Sequence, residues 1–206
     1  MTLTAKEMKA AEKAAFERGI SYLQMMENAG RKAFELLLSR KPDIKTAAVF
    51  CGCGGCGGDA LVLSRLLKQK GAGVLIILCC GKPRHQDAVT NFDLAASLDI
   101  PMVVGSLLTQ EDIDFICSAD AVIDGIYGTG FHGELGLEQE VCCGVINSSR
   151  GLKLALDIPS GLECDSGIAA QGTVKADLTV AFHAFKPCHE KAPDICGEVV
   201  LADIGI

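Results

Sequence analysis

Thr46–Asp59 reads TAAVFCGCGGCGGD: a short apolar run breaks into a loop with five glycines in the nine residues Cys51–Asp59, and a helical pattern follows. Glycine permits positive φ and lets backbone amides approach a ligand, so such a loop at a helix N-terminus can cradle a phosphate or other anion. Asp59 is placed to cap that helix, which the pattern carries from Asp59 to Lys70. Gly52-x-Gly54-x-x-Gly57 has the spacing of a dinucleotide fingerprint. The acid expected near the end of the next strand is replaced by Cys80-Gly81-Lys82, which argues against an ordinary nicotinamide dehydrogenase. No Gly-Lys-Ser/Thr follows, so a triphosphate P-loop is excluded. Cys51, Cys53 and Cys56 lack a second ligand cluster at zinc spacing and read as small residues in a tight turn.

Outward from the loop, apolar runs alternate with helical patterns. TAAVF, GVLIILCC, PMVV, AVIDGIY, LKLALDI, DLTVAF and EVVLADI are the runs; helices are expected at 59–70, 86–98, 109–118 and 138–148. Continuous rather than alternating apolar strands, most of them followed by a helix, belong to a parallel sheet covered on both faces. The expected fold is therefore α/β: a three-layer, Rossmann-like, doubly wound and mostly parallel sheet, formed by residues 1–206 as one domain. Two extra helices precede it, with possible capping boxes at Thr4/Glu7 and Ser21/Gln24. In the second, Tyr22, Met25, Met26, Ala29, Ala33, Phe34 and Leu37 share one stripe, read as core.

Bulk composition narrows the partners. A chain of 206 residues with 49% apolar and 22% charged residues can bury a full core. A formal charge of −7 without a local Lys/Arg run excludes long-range attraction to nucleic acid or anionic lipid. No apolar run approaches the roughly 20 residues of a membrane helix, and the first residues lack a signal core. The expected location is the cytoplasm, where the eleven cysteines, several of them in apolar runs, serve as free small hydrophobes.

In open parallel sheets ligands bind beyond the carboxyl ends of the strands, where strand order reverses. Asp124 ends AVID and precedes a second glycine-rich segment, Gly128–Glu134; Asp157 ends LALD and precedes Ile158-Pro159-Ser160-Gly161. A carboxylate held between an apolar strand and a rigid proline turn is partly desolvated, which suits it to proton transfer. Two carboxylates, a hydroxyl and two glycine loops thus converge from three strand ends. Lys186 follows the sixth strand and could reach the same face, although as a lysine it reads first as solvated. His132 lies in the second loop, while His85, His183 and His189 have no partners at metal spacing and read as surface or structural.

Five of these segments, Met26-Glu-Asn-Ala-Gly30, the Gly-Gly-Asp turn at 57–59, Val122-Ile-Asp-Gly-Ile-Tyr-Gly-Thr-Gly130, Asp157-Ile-Pro-Ser-Gly161 and Asp203-Ile-Gly-Ile206, resemble in order the motifs of the YjeF N-terminal domain family. The enzymatic members of that family are NAD(P)HX epimerases. The resemblance covers nearly the whole chain. It implies interconversion of the R and S forms of hydrated NADH and NADPH, so that an S-specific dehydratase, fused or separate, can restore the reduced cofactor. It implies that Gly55, Cys56, Gly57, Gly58 and Asp59 contact the hydrated dinucleotide, as do Gly128, Thr129, Gly130, Phe131, His132, Gly133 and Glu134. Asp157 would meet the reacting nicotinamide end as the catalytic acid and base. A potassium ion would be held by Asp124, Ser160 and the residue at position 56, and the chain would form a homodimer. Where the family carries Asn-Asn this chain has Gly55-Cys56, and a thiol lacks the hard oxygen an alkali cation prefers. Other relatives are scaffolds of messenger-RNA decapping, so a non-catalytic nucleotide-binding or scaffold domain is the alternative.

Overall fold

A computed structural model describes residues 1–206. Its strands are β1 (Thr46–Cys51), β2 (Gly73–Leu78), β3 (Met102–Val104), β4 (Ala121–Gly125), β5 (Leu152–Leu156), β6 (Leu178–Phe182) and β7 (Glu198–Ala202). They form one sheet in the order β3-β2-β1-β4-β5-β6-β7, and every pairing is parallel. After β1 the chain steps outward through β2 and β3, then returns to place β4 on the other side of β1. That reversal opens a crevice at the carboxyl ends of β1 and β4.

The helices are α1 (Ala5–Glu17), α2 (Tyr22–Arg40), α3 (Gly55–Gln69), α4 (Gln86–Ala96), α5 (Gln110–Ser118), α6 (Leu137–Ser148), α7 (Pro187–Lys191) and α8 (Pro193–Cys196). They cover both faces, and the parity of β1 shows how. Ala47, Val49 and Cys51 pack with Ala33 and Leu37 of α2 and Leu61, Leu63 and Leu67 of α3. Ala48 and Phe50 pack with Ile116 of α5 and Cys142, Cys143 and Ile146 of α6. Both sides of the strand are buried, so its sequence has no polar alternation. All eleven cysteine thiols are free, and most are buried as small apolar residues. No helix is long and apolar enough to cross a membrane.

The motif Met26–Gly30 does its work between helices. A Cβ on Gly30 would lie 2.4 Å from Val62 Cβ, and one on Gly58 would lie 2.4 Å from Met26 Sδ, so α2 and α3 touch at backbone range. Asn28 Nδ2 donates to Ile204 O at 2.8 Å, which ties α2 to the segment after β7. Only one of the two expected capping boxes is complete. Thr4 Oγ1 accepts from Glu7 N while Glu7 Oε2 accepts from Thr4 N. Ser21 Oγ accepts from Gln24 N, but the Gln24 amide turns along the helix to Asn28 Oδ1.

The expected start of α3 at Asp59 is corrected: the helix begins at Gly55 with Gly54 at its N-cap. Glycines carry the first turn because side chains would not fit there. A Cβ on Gly57 would meet Gly52 O at 1.9 Å. Asp59 is thereby moved into the second turn and does not cap.

The N-terminus is bound across the carboxyl ends of the strands. Thr2 bridges Phe185 in parallel, Leu3 N donates to Phe185 O at 2.8 Å, and Ala5 N donates to Asp165 Oδ1 at 2.8 Å. These bonds lay α1 beside the crevice.

Candidate functional site

A cavity of about 590 Å³ occupies the crevice, within the usual range for a small-molecule site. The first glycine loop forms one wall through Cys53, Gly54, Gly55, Cys56 and Asp59. The segment after β4 forms another through Ile126 to Phe131, with Asp157 beyond β5 between them. Of the residues singled out from sequence, Gly55, Cys56, Asp59, Gly128, Thr129, Gly130, Phe131 and Asp157 line the cavity. Gly57 and Gly58 are buried behind it, where they allow the close helix contacts already described. His132, Gly133 and Glu134 are exposed and lie outside the lining, with Gly133 N donating to Glu163 Oε1 at 2.9 Å.

The remaining wall is one that sequence reading did not assign to the site. Glu12 of α1 and Tyr22, Met25, Met26 and Ala29 of α2 line the cavity, as does His85. The α2 stripe is both core and wall. The tie between Thr2 and Phe185 that brings α1 here is a long-range pairing without a local sequence signal.

Asp157 is the most constrained residue of the site. Its φ is +66°, a left-handed conformation that aspartate tolerates better than most residues. Bonds on every side hold it there. Its N–H donates to Val180 O at 2.8 Å, and its carbonyl accepts from His189 Nε2 at 2.9 Å. Because His189 Nδ1 accepts from Lys186 N at 3.1 Å, the ring is the neutral Nε2–H tautomer. Burial, which pushes the ring below its usual titration range, favours that form. The side chain is equally ordered: Oδ1 accepts from Phe182 N at 3.2 Å and from the Lys186 ammonium, whereas Oδ2 has no protein donor. Oδ2 lies 3.8 Å from where a Gly128 Cβ would stand, so it faces the second loop.

The expectation of a solvated Lys186 is corrected by this arrangement. Its side chain is 0% exposed, and its ammonium donates to Phe182 O at 2.8 Å as well as to Asp157. An ammonium without such partners would not remain in an apolar interior; the Asp157 carboxylate and a strand-end carbonyl replace its water. Asp157 is accordingly the anionic half of an ion pair rather than an isolated desolvated carboxyl.

Beneath the cavity, Asp124 Oδ2 accepts from Ser160 N at 2.7 Å, and Oδ1 accepts from Ser160 Oγ at 2.6 Å and Ile126 N at 3.3 Å. Ser160 Oγ in turn accepts from Tyr127 N at 2.9 Å, joining the two strand-end turns. Cys56 Sγ donates to Leu156 O at 3.5 Å, and burial followed by the charges of Asp59, Asp124 and Asp157 pushes the thiol well up, so it keeps its proton. This donor set does not fit the expected potassium ion. Both Asp124 oxygens and Ser160 Oγ are engaged with one another and with backbone amides, and position 56 presents a protonated sulfur.

Burial outweighs these bonds and raises the Asp124 carboxyl to about 6. Between about pH 4, where an unfolded aspartate loses its proton, and about 6, the folded chain still holds that proton. Stability from this group is thus full at low pH and falls by about 3 kcal/mol as pH rises through the window. Urea titrations should show the unfolding free energies of wild type and Asp124→Asn changing relative to each other by that amount between pH 4 and 7, with wild type losing ground.

Comparison with known proteins agrees with this architecture. The family described as YjeF-related protein N-terminus matches residues 22–188. The chain is similar to the NAD(P)H-hydrate epimerase of Cenarchaeum symbiosum, with 37% identity over 209 residues covering 100% of this chain and 96% of the relative. It is also similar to the bifunctional NAD(P)H-hydrate repair enzyme Nnr of Archaeoglobus fulgidus, at 38% identity over 99% of this chain; it spans 41% of that protein's length. The crystal structure of yeast ynu0 shares the fold, with a TM-score of 0.80 at 20% identity, over 93% of this chain and 84% of that one.

Proposed function

The chain belongs to the family of the YjeF-related protein N-terminus, and from that membership we propose that it interconverts the R and S forms of hydrated NADH and NADPH in the repair of nicotinamide cofactors. The observation that carries this reading is the position of Asp157. Its free Oδ2 faces the second glycine loop in a cavity whose other wall is the first, at the point where an open α/β sheet receives a dinucleotide.

Epimerisation must remove the hydroxyl from the hydrated carbon and restore it on the opposite face. Electrons on the adjacent ring nitrogen can expel the hydroxyl, leaving a planar iminium cation. Asp157 contributes by accepting a proton and by placing negative charge beside that cation. The Lys186 ammonium and Phe182 N–H hold Oδ1 in place, so Oδ2 is the atom that acts. The start of α3, where Gly54 and Gly55 line the cavity, suits the pyrophosphate. No step runs through a potassium ion.

The product form would pass to a dehydratase, either a separate protein or the second activity of bifunctional relatives; a homodimer in the cytoplasm is the assembly and setting we expect. The decisive measurement adds purified protein to R-hydrated NADPH and follows appearance of the S form by chromatography. Equilibration well above the spontaneous rate is expected. A rate equal to the spontaneous one, with NADP still bound, would replace this reading with that of a non-catalytic nucleotide-binding domain, which the Gly55-Cys56 pair favours.

A further inference from the structure

Four carboxyl groups line the cavity, those of Glu12, Asp59, Asp87 and Asp157, and only Asp157 is paired. Asp157 has the Lys186 ammonium and Phe182 N–H, but no donor of the protein reaches Asp59 in α3 or Glu12 in α1. Asp59 is also not the helix cap its position in sequence suggests, since Gly54 takes that place. A half-buried carboxyl without a partner, on the wall of a cavity, has no packing role to explain it. It is left free to meet what enters the cavity.

We propose that Asp59 is the proton donor of the reaction and Asp157 Oδ2 its base, the two acting on the departing and the arriving oxygen from different walls. The division rests on the epimerase reading. Burial, first, and then the charges of Asp157 and Glu12 push the Asp59 carboxyl well above the ordinary range, with Lys186 opposing. Glu12 is raised less, first by burial and then by Asp157. Burial and its two negative neighbours favour the protonated form of Asp59, while Asp157 is ion-paired with Lys186, and two carboxyls pushed toward opposed states can supply an acid and a base.

The step balances without a co-reactant. Asp59 gives its proton to the substrate hydroxyl; the C–O bond breaks with both electrons moving to oxygen, and water leaves. The nitrogen lone pair becomes the second N–C bond of the iminium. A water on the other face then donates an oxygen lone pair to carbon, the N–C π pair returns to nitrogen, and Asp157 Oδ2 takes one proton from that water. The configuration is inverted and one proton has moved from Asp59 to Asp157. It returns through solvent after the product leaves the cavity.

The test runs the reaction on R-hydrated NADPH in ¹⁸O-labelled water with wild type, Asp59→Asn and Glu12→Gln. Wild type should incorporate one label per inversion. Asp59→Asn should lower kcat about 100- to 10,000-fold while melting temperature holds, and should lose the alkaline limb of the wild-type profile. Glu12→Gln removes a negative neighbour, so that limb should move to lower pH. No acceleration by wild type overturns the functional reading along with this one. Acceleration with the original oxygen retained, or an unchanged kcat in Asp59→Asn, overturns the division of labour alone.

Discussion

Asp157→Asn should lose R-to-S equilibration by at least about 1,000-fold and, at the same time, several kcal/mol of stability. The second loss complicates the first. The substitution leaves the fully buried Lys186 ammonium without a countercharge, with only neutral oxygens such as Phe182 O to accept from it. Breaking a buried pair by removing one member typically costs about 3–5 kcal/mol, because the survivor's charge is uncompensated. The variant that separates the effects is Asp157→Asn combined with Lys186→Met. Removing both charges should restore most of the unfolding free energy in urea, leaving the reaction as slow as in the single variant. A double variant no more stable than Asp157→Asn would mean that the ion pair is not what holds the β5 turn.

Gly57→Ala should be as severe for a different reason. The new methyl would sit 1.9 Å from Gly52 O and 2.7 Å from Gly52 C, both backbone atoms, so no side-chain rotation relieves it. Either the first turn of α3 unwinds or the loop after β1 shifts, and the wall of the cavity moves with it. A cost of more than about 4 kcal/mol is expected, which for a chain of this size lowers Tm by roughly 8–16 °C. Gly55→Ala is the control: nothing lies within 4 Å of its Cβ position, and alanine favours helix over glycine by up to about 1 kcal/mol. Equal melting temperatures for the two variants would refute the packing account of the glycine loop.

These contrasts show where sequence reading reaches and where it stops. The sheet was legible because each strand buries both faces and so has a continuous apolar run. The placement of Asp124 and Asp157 followed from it, since a polar residue ending such a run must lie at a strand end. Boundaries were less legible. Glycine weakens any local helix signal, so α3 is expected four residues late, and Asp59 is taken for a cap. Lys186 was misread because lysine is exposed in most contexts, and its partner lies twenty-nine positions away in the chain. Glu12 carried no signal at all; its place on the wall depends on Thr2 meeting Phe185 across the molecule.

That meeting has a consequence for how the protein is made. Thr2 leaves the ribosome far ahead of Phe185, and at about 5–20 residues per second the interval is on the order of 10–40 s. Through that time α1 can form on its own capping box, but the strand end it docks against does not yet exist. Glu12 and Lys186 reach their places only once the segment around Phe185 has emerged. A nascent chain can therefore carry both glycine loops and still have no closed pocket, so a ligand that fills the cavity would select finished molecules over partial ones.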